Sequence, residues 1–164
     1  MERGDSIGGV IRKNPLEVVL CLVLVAIVAV TFSQVLFRYV FRTSLDWSEE
    51  LARFLFLWLA ALSSAYAFKT KSHFALRFMV NRFGPRLRTV VSDLVVLSVS
   101  VFLVAFSYQA VVYTLSVTNM TAPGTQMSMA IPYSSAIVGG ILMLYYVLRN
   151  WWSDRRNPPL HAED

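Results

Sequence analysis

Residues 18–37 read VVLCLVLVAIVAVTFSQVLF, twenty positions without a single charge. A helix rises about 1.5 Å per residue and a bilayer's hydrocarbon core is about 30 Å thick, so about 20 apolar residues suffice to cross it. Inside lipid an unpaired backbone amide costs several kcal/mol, so such a run has to be a helix that satisfies its own hydrogen bonds. It also exceeds the roughly 7 to 15 residues of a cleaved signal's apolar region, and reads as a retained anchor.

Working outward, three more runs meet the same test. The predicted spans are about 15–39, 47–68, 89–117 and 132–152, which makes the chain an all-α membrane protein with four transmembrane helices in a single domain, 1–156, followed by a short tail at 157–164. Bulk composition agrees: 56% of the 164 residues are hydrophobic, 15% are charged, and the mean hydropathy is +0.55. The single cysteine, Cys21, excludes an intramolecular disulfide and any cysteine-based metal spacing.

The net charge of +5 would suggest nucleic acid in a soluble protein, but here the basic residues fall in short segments between apolar runs. Arg3, Arg12 and Lys13 precede the first span, Lys69, Lys71, Arg77, Arg82, Arg86 and Arg88 lie between the second and third, and Arg149, Arg155 and Arg156 close the fourth. Only Arg38, Arg42 and Arg53 flank the opposite side, and residues 118–131 carry no charge. Twelve against three places both termini in the cytoplasm of a bacterial inner membrane and removes nucleic acid as a partner.

Helix starts are written into the sequence. Asn14-Pro15-Leu16-Glu17 offers a capping asparagine, an N1 proline and a carboxylate at N3, and Asp46-Trp47-Ser48-Glu49 repeats the pattern. Pro132 suits the first turn of the fourth span. Between the second and third spans, residues 72–84 read as an amphipathic helix with His73, Arg77 and Asn81 on one face, stopped by Gly84-Pro85. It is expected to lie on the cytoplasmic membrane surface, where Lys69, Lys71, Arg77, Arg82, Arg86 and Arg88 meet lipid phosphates. A ligand role for His73 lacks a companion, since the other histidine, His161, sits in the tail.

The richest chemistry is at the outer ends of the first two spans. Arg38, Arg42, Asp46, Glu49, Glu50 and Arg53 sum to zero charge, and Arg53 is one turn below both Glu49 and Glu50. Three readings stay open: an ion-pair cap that fixes the hairpin, a contact with a charged partner, or coupling to an ion or substrate. Trp47 belongs to an interfacial belt, whereas Trp58 sits deeper and fits a helix interface. Asp93, about one turn into the third span, reads as a satisfied helix-end acid or as a proton site, and Glu17 as a cap. The uncharged, Met-rich segment 118–131 is either a loop folded onto the helices or a docking surface. No nucleophile with its base, no paired mid-membrane acids and no phosphate loop occur, so the chain reads as no enzyme and as needing no cofactor.

Phe37-Arg38, Trp47-Ser-Glu-Glu-Leu-Ala-Arg53, Trp58, Lys71-Ser-His73 and Ser128-Met-Ala-Ile-Pro-Tyr133 together resemble the small membrane subunit (DctQ type) of tripartite ATP-independent periplasmic (TRAP) transporters, across nearly the whole chain. The resemblance implies a large membrane subunit (DctM type) and a periplasmic substrate-binding protein (DctP type) as partners. It further implies sodium-driven uptake of an organic acid, with sodium and substrate held in the large subunit. Arg38, Asp46, Trp47, Glu49, Glu50, Arg53, Trp58, His73 and Pro132 would then be structural or subunit-contacting. The chain departs from the family where Phe74-Ala-Leu-Arg77 replaces a carboxylate after the histidine, and where Ser63 or Ser64 stands for a glycine. A rival of another class is a self-sufficient small proton-coupled exporter working as a homo-oligomer. It would need an ionisable residue near mid-depth.

Overall fold

The computed structural model describes residues 15–43, 45–70 and 85–156. Four helices follow one another: α1, Pro15–Leu36, extended by a π-helical turn at Phe37–Phe41; α2, Asp46–Lys69; α3, Pro85–Ser116; and α4, Ala130–Arg156. All four contain stretches long and apolar enough to cross a membrane. The expected surface helix at 72–84, with His73, Lys71, Arg77 and Arg82, lies outside the described residues, as do Asn14 and the tail.

The helix ends shift by a few residues from the sequence reading, for identifiable reasons. Pro15 and Pro85 are the first described residues of their helices, and the apolar span within the second of these, Val90–Ser116, begins within a residue of the expected start. The π turn carries α1 past Tyr39 to Phe41, where Arg42 takes a left-handed conformation (φ 53°) and its N–H closes onto the Phe37 carbonyl. α2 begins at Asp46 itself, so Asp46 is not the N-cap. That position is Leu45, which contributes no side-chain cap, while the buried Ser48 donates both its N–H (3.0 Å) and its hydroxyl (2.6 Å) to the Leu45 carbonyl. α4 starts two residues before Pro132, which sits fully buried in its first turn.

Packing does not follow chain order. Among the described residues α1 approaches only α2, α3 approaches only α4, and α2 and α4 lie against each other. The result is a single row, α1–α2–α4–α3, and not a closed bundle. Small residues set the central seams. A Cβ built on Gly139 of α4 would lie 2.9 Å from the Ala61 Cβ of α2, and one on Gly140 would strike the Ser107 hydroxyl of α3. Backbones come close in lipid where side chains are small, because close packing replaces the hydrophobic effect as the attraction between helices.

A row leaves much apolar surface uncovered. The outermost helix α1 is the most apolar of the four and has no buried residue, whereas 22% of the apolar window of α4 is buried. Its exposed Leu22, Val25, Val28 and Phe32 need lipid or another protein.

Candidate functional site

From the sequence, residues 18–37, 54–68, 94–116 and 130–148 carry no Asp, Glu, Lys or Arg. Charge therefore collects at the two ends of the row, here named for Glu50 and Asp93, and each end is built differently.

At the Glu50 end the first turn of α2 holds the loop that joins α3 to α4. The Glu50 carboxylate accepts hydrogen bonds from the Gly124 N–H (3.0 Å), the Thr125 N–H (2.9 Å) and the Thr125 hydroxyl (3.1 Å), reaching 74 and 75 residues along the chain. Gly124 permits this approach: a Cβ there would lie 2.9 Å from the Asp46 carbonyl oxygen and 3.2 Å from Cδ of Glu50. The loop itself is a tight hairpin. Ala122 N–H donates to the Met127 carbonyl and Met129 N–H to that of Met120, both at 2.9 Å. Gln126 turns through φ 56°, and the Ser128 hydroxyl ties back to the Thr118 carbonyl at 2.8 Å. Ala122 is fully buried, while Met120 and Met127 project outward. Of the two readings of this segment, the folded-back loop is what the structure shows. On the far side of the loop Tyr113 of α3 meets Tyr133 of α4 edge to face, with ring centroids 4.9 Å apart.

The six-charge cluster is not one assembly. Arg53 pairs with Glu49 at 3.0 Å, both side chains about two-thirds exposed, while Glu50 turns to the loop and makes no ion pair with Arg53. Arg38, in the π turn, and Arg42 find no carboxylate among the described residues. The sequence reading summed these charges by proximity in the chain. The π turn and the left-handed Arg42 instead direct the end of α1 separately from α2. Trp47 is 45% exposed, as an interfacial residue should be, and Trp58 is half-buried.

At the Asp93 end every seam of the row carries a polar stitch. The Tyr66 hydroxyl of α2 donates to Glu17 of α1. Asn150 of α4 donates to the Phe68 carbonyl at 2.7 Å, satisfying one of the last carbonyls of α2. Asp93 of α3 accepts from the indole N–H of Trp151 (2.9 Å) and from Arg155 (2.7 Å), both on α4, and the Arg155 guanidinium also lies 4.5 Å from the Trp151 ring. Asp93 is thus a satisfied helix-end acid, held by two side chains of α4. Glu17, whose expected cap with Asn14 falls outside the described residues, links two helices. These cross-helix partners left no local pattern; the one available signal was a Tyr, an Asn and a Trp placed a turn from span ends, where a buried polar tip needs a partner.

Between the ends several hydroxyls return to their own helices, while those of Ser100 and Ser107 are buried without a hydrogen-bond partner. Ser63 and Ser64 both donate to the Ala60 carbonyl, at 3.1 and 2.8 Å, and Thr114 donates to that of Ala110 at 2.7 Å. The arrangement offers clamps between helices and, among the described residues, no grouping of carboxylates, histidines or cysteines fit to hold a metal ion.

Comparison with known proteins adds the family. Residues 27–157 match the family described as "Tripartite ATP-independent periplasmic transporters, DctQ component". A TRAP transporter small permease protein of Haemophilus influenzae is 27% identical over 129 residues, 76% of this chain and 78% of that one. A second H. influenzae protein, the "Sialic acid TRAP transporter permease protein SiaT", is 33% identical over 82 residues, which make up half of this chain but 13% of that much longer protein.

Proposed function

Since this chain belongs to the DctQ family of TRAP transporter components and is a small, multi-pass permease subunit, we propose that it is the non-catalytic brace of a sodium-driven importer of an organic acid. It would hold a large DctM-type subunit in the inner membrane, with both of its own termini in the cytoplasm. The observation that carries this reading is the open row of helices whose central stretches, 18–37, 54–68, 94–116 and 130–148, contain no charge while their ends are clamped together. A single layer encloses no passage, and a proton-driven step needs an ionisable group within the membrane. The chemistry of transport then falls to a partner, with sodium and substrate bound there.

Two further observations support the assignment. A segment similar to this chain forms part of a much longer permease polypeptide in the sialic acid relative, so small and large parts can share one assembly. The uncharged hairpin at the Glu50 end presents Met120 and Met127 on the side that the Lys and Arg count turns to the periplasm, a suitable face for a DctP-type binding protein.

Purification of the tagged chain from membranes of cells expressing the neighbouring genes tests the proposal. A much larger membrane protein is expected to accompany it through mild detergents. A chain that purifies alone in several such detergents, or one that transports by itself in liposomes, would overturn the brace.

A further inference from the structure

One charged cluster takes no part in the stitches. Arg149 and Arg156 stand seven residues apart on α4, two helical turns or about 10 Å of rise. With Tyr145, Leu148, Trp152 and Ser153 they line a shallow open groove of about 480 Å³. Neither arginine has a carboxylate partner among the described residues, and Asp93 is already occupied by Arg155 and Trp151. Arg149 lies about one turn inside the apolar span Ala130–Ser153, where an uncompensated guanidinium is unfavourable unless it reaches the interface or meets an anion. The Arg156 guanidinium lies 5.3 Å from the ring centroid of Trp152.

The groove is graded along the helix axis. Both arginines and the Ser153 hydroxyl occupy the part nearer the helix end, while Tyr145 and Leu148, 55% and 48% exposed, continue it toward the middle of the span. Positive charge at the interface followed by an apolar wall complements a negatively charged headgroup followed by an acyl chain.

We propose that this groove binds one anionic phospholipid, its phosphate between Arg149 and Arg156 with the Ser153 hydroxyl as a further donor, and the start of an acyl chain against Tyr145 and Leu148. The two unpaired cations favour a lipid over a protein surface, which would have to bring its own acids into the interface. The site depends neither on the transported substrate nor on the orientation of the chain.

Native mass spectrometry of the full chain, purified with whatever membrane partner it retains and then delipidated, can test this by titration with phosphatidylglycerol or phosphatidylcholine. One phosphatidylglycerol per chain should be retained where phosphatidylcholine is not. R149A/R156A should weaken that retention by about tenfold or more, R149K/R156K should restore part of it, and R38A/R42A, which removes two exposed arginines at the opposite end, should leave it intact. Equal retention of the two lipids, no change in R149A/R156A, or an equal loss in R38A/R42A would each overturn the site. So would displacement of the lipid by millimolar inorganic phosphate, which would make the groove a simple anion site, or its exclusion when a large partner subunit is bound.

Discussion

The Glu50 carboxylate and the Gly124 amide, 74 residues apart in the chain, meet at 3.0 Å and fasten the α3–α4 loop to the first turn of α2. Removing the carboxylate would leave the Gly124 and Thr125 amides without their acceptor. Glu50→Ala is expected to make the loop cleavable by a protease that spares the parent protein, and to lower the melting temperature by a few degrees. Glu50→Gln, which keeps an acceptor oxygen, should do less. Limited proteolysis followed by mass mapping reads the difference.

Gly139 makes a second, purely steric prediction. A side chain there meets Ala61 across the α2–α4 seam, the one helix-to-helix contact between the two halves of the row among the described residues. Gly139→Val should cost about 1–3 kcal/mol through overpacking, and the companion change Ala61→Gly should recover part of it. A thermal melt of the single and double variants in detergent decides, and equal melting of Gly139→Val and the parent would contradict the close approach.

Asp93, Trp151 and Arg155 act as one unit, so their substitutions should not add. Asp93→Asn and Arg155→Ala are each expected to destabilise the protein, whereas the double variant should be little worse than Asp93→Asn alone, because both remove the same contact. A double-mutant cycle on melting temperature measures the coupling.

Arg53 separates folding from assembly. Its exposed pair with Glu49 is of the kind that contributes about 0–1 kcal/mol, so Arg53→Ala should leave the isolated chain's stability nearly unchanged. If this end of α2 faces a partner, co-purification of the large subunit and uptake by the whole system should fall together. Full uptake with an intact complex would confine Arg53 to a surface pair.

The four spans were legible because a run such as 18–37 has one reading in a bilayer. The order of the helices was not legible. In a soluble protein a helix advertises its buried face by contrast with a polar one, but α1 is apolar all round and buries no residue. Lipid and a neighbouring helix look alike to Leu22 or Val25. The usable signals were sparse: Gly139, Gly140, Ala61 and Ser107, whose small size marks close approach, and Asn150, Trp151 and Tyr66, whose polar tips required partners. At the candidate site the i, i+4 pairing of Glu49 with Arg53 could be read locally. Glu50 equally satisfied a local rule and was drawn instead to a loop 74 residues away, which no periodicity encodes.

The order α1–α2–α4–α3 also bears on how the protein is made. When α3 leaves the ribosome its one helical neighbour among the described residues, α4, has yet to be translated. α4 must then arrive between two helices already in the membrane, sliding Gly139 against Ala61 and Gly140 against Ser107. A nascent chain halted before α4 would therefore hold α1 and α2 as a finished pair and α3 as a stray span, open to quality-control proteases until the last helix closes the row.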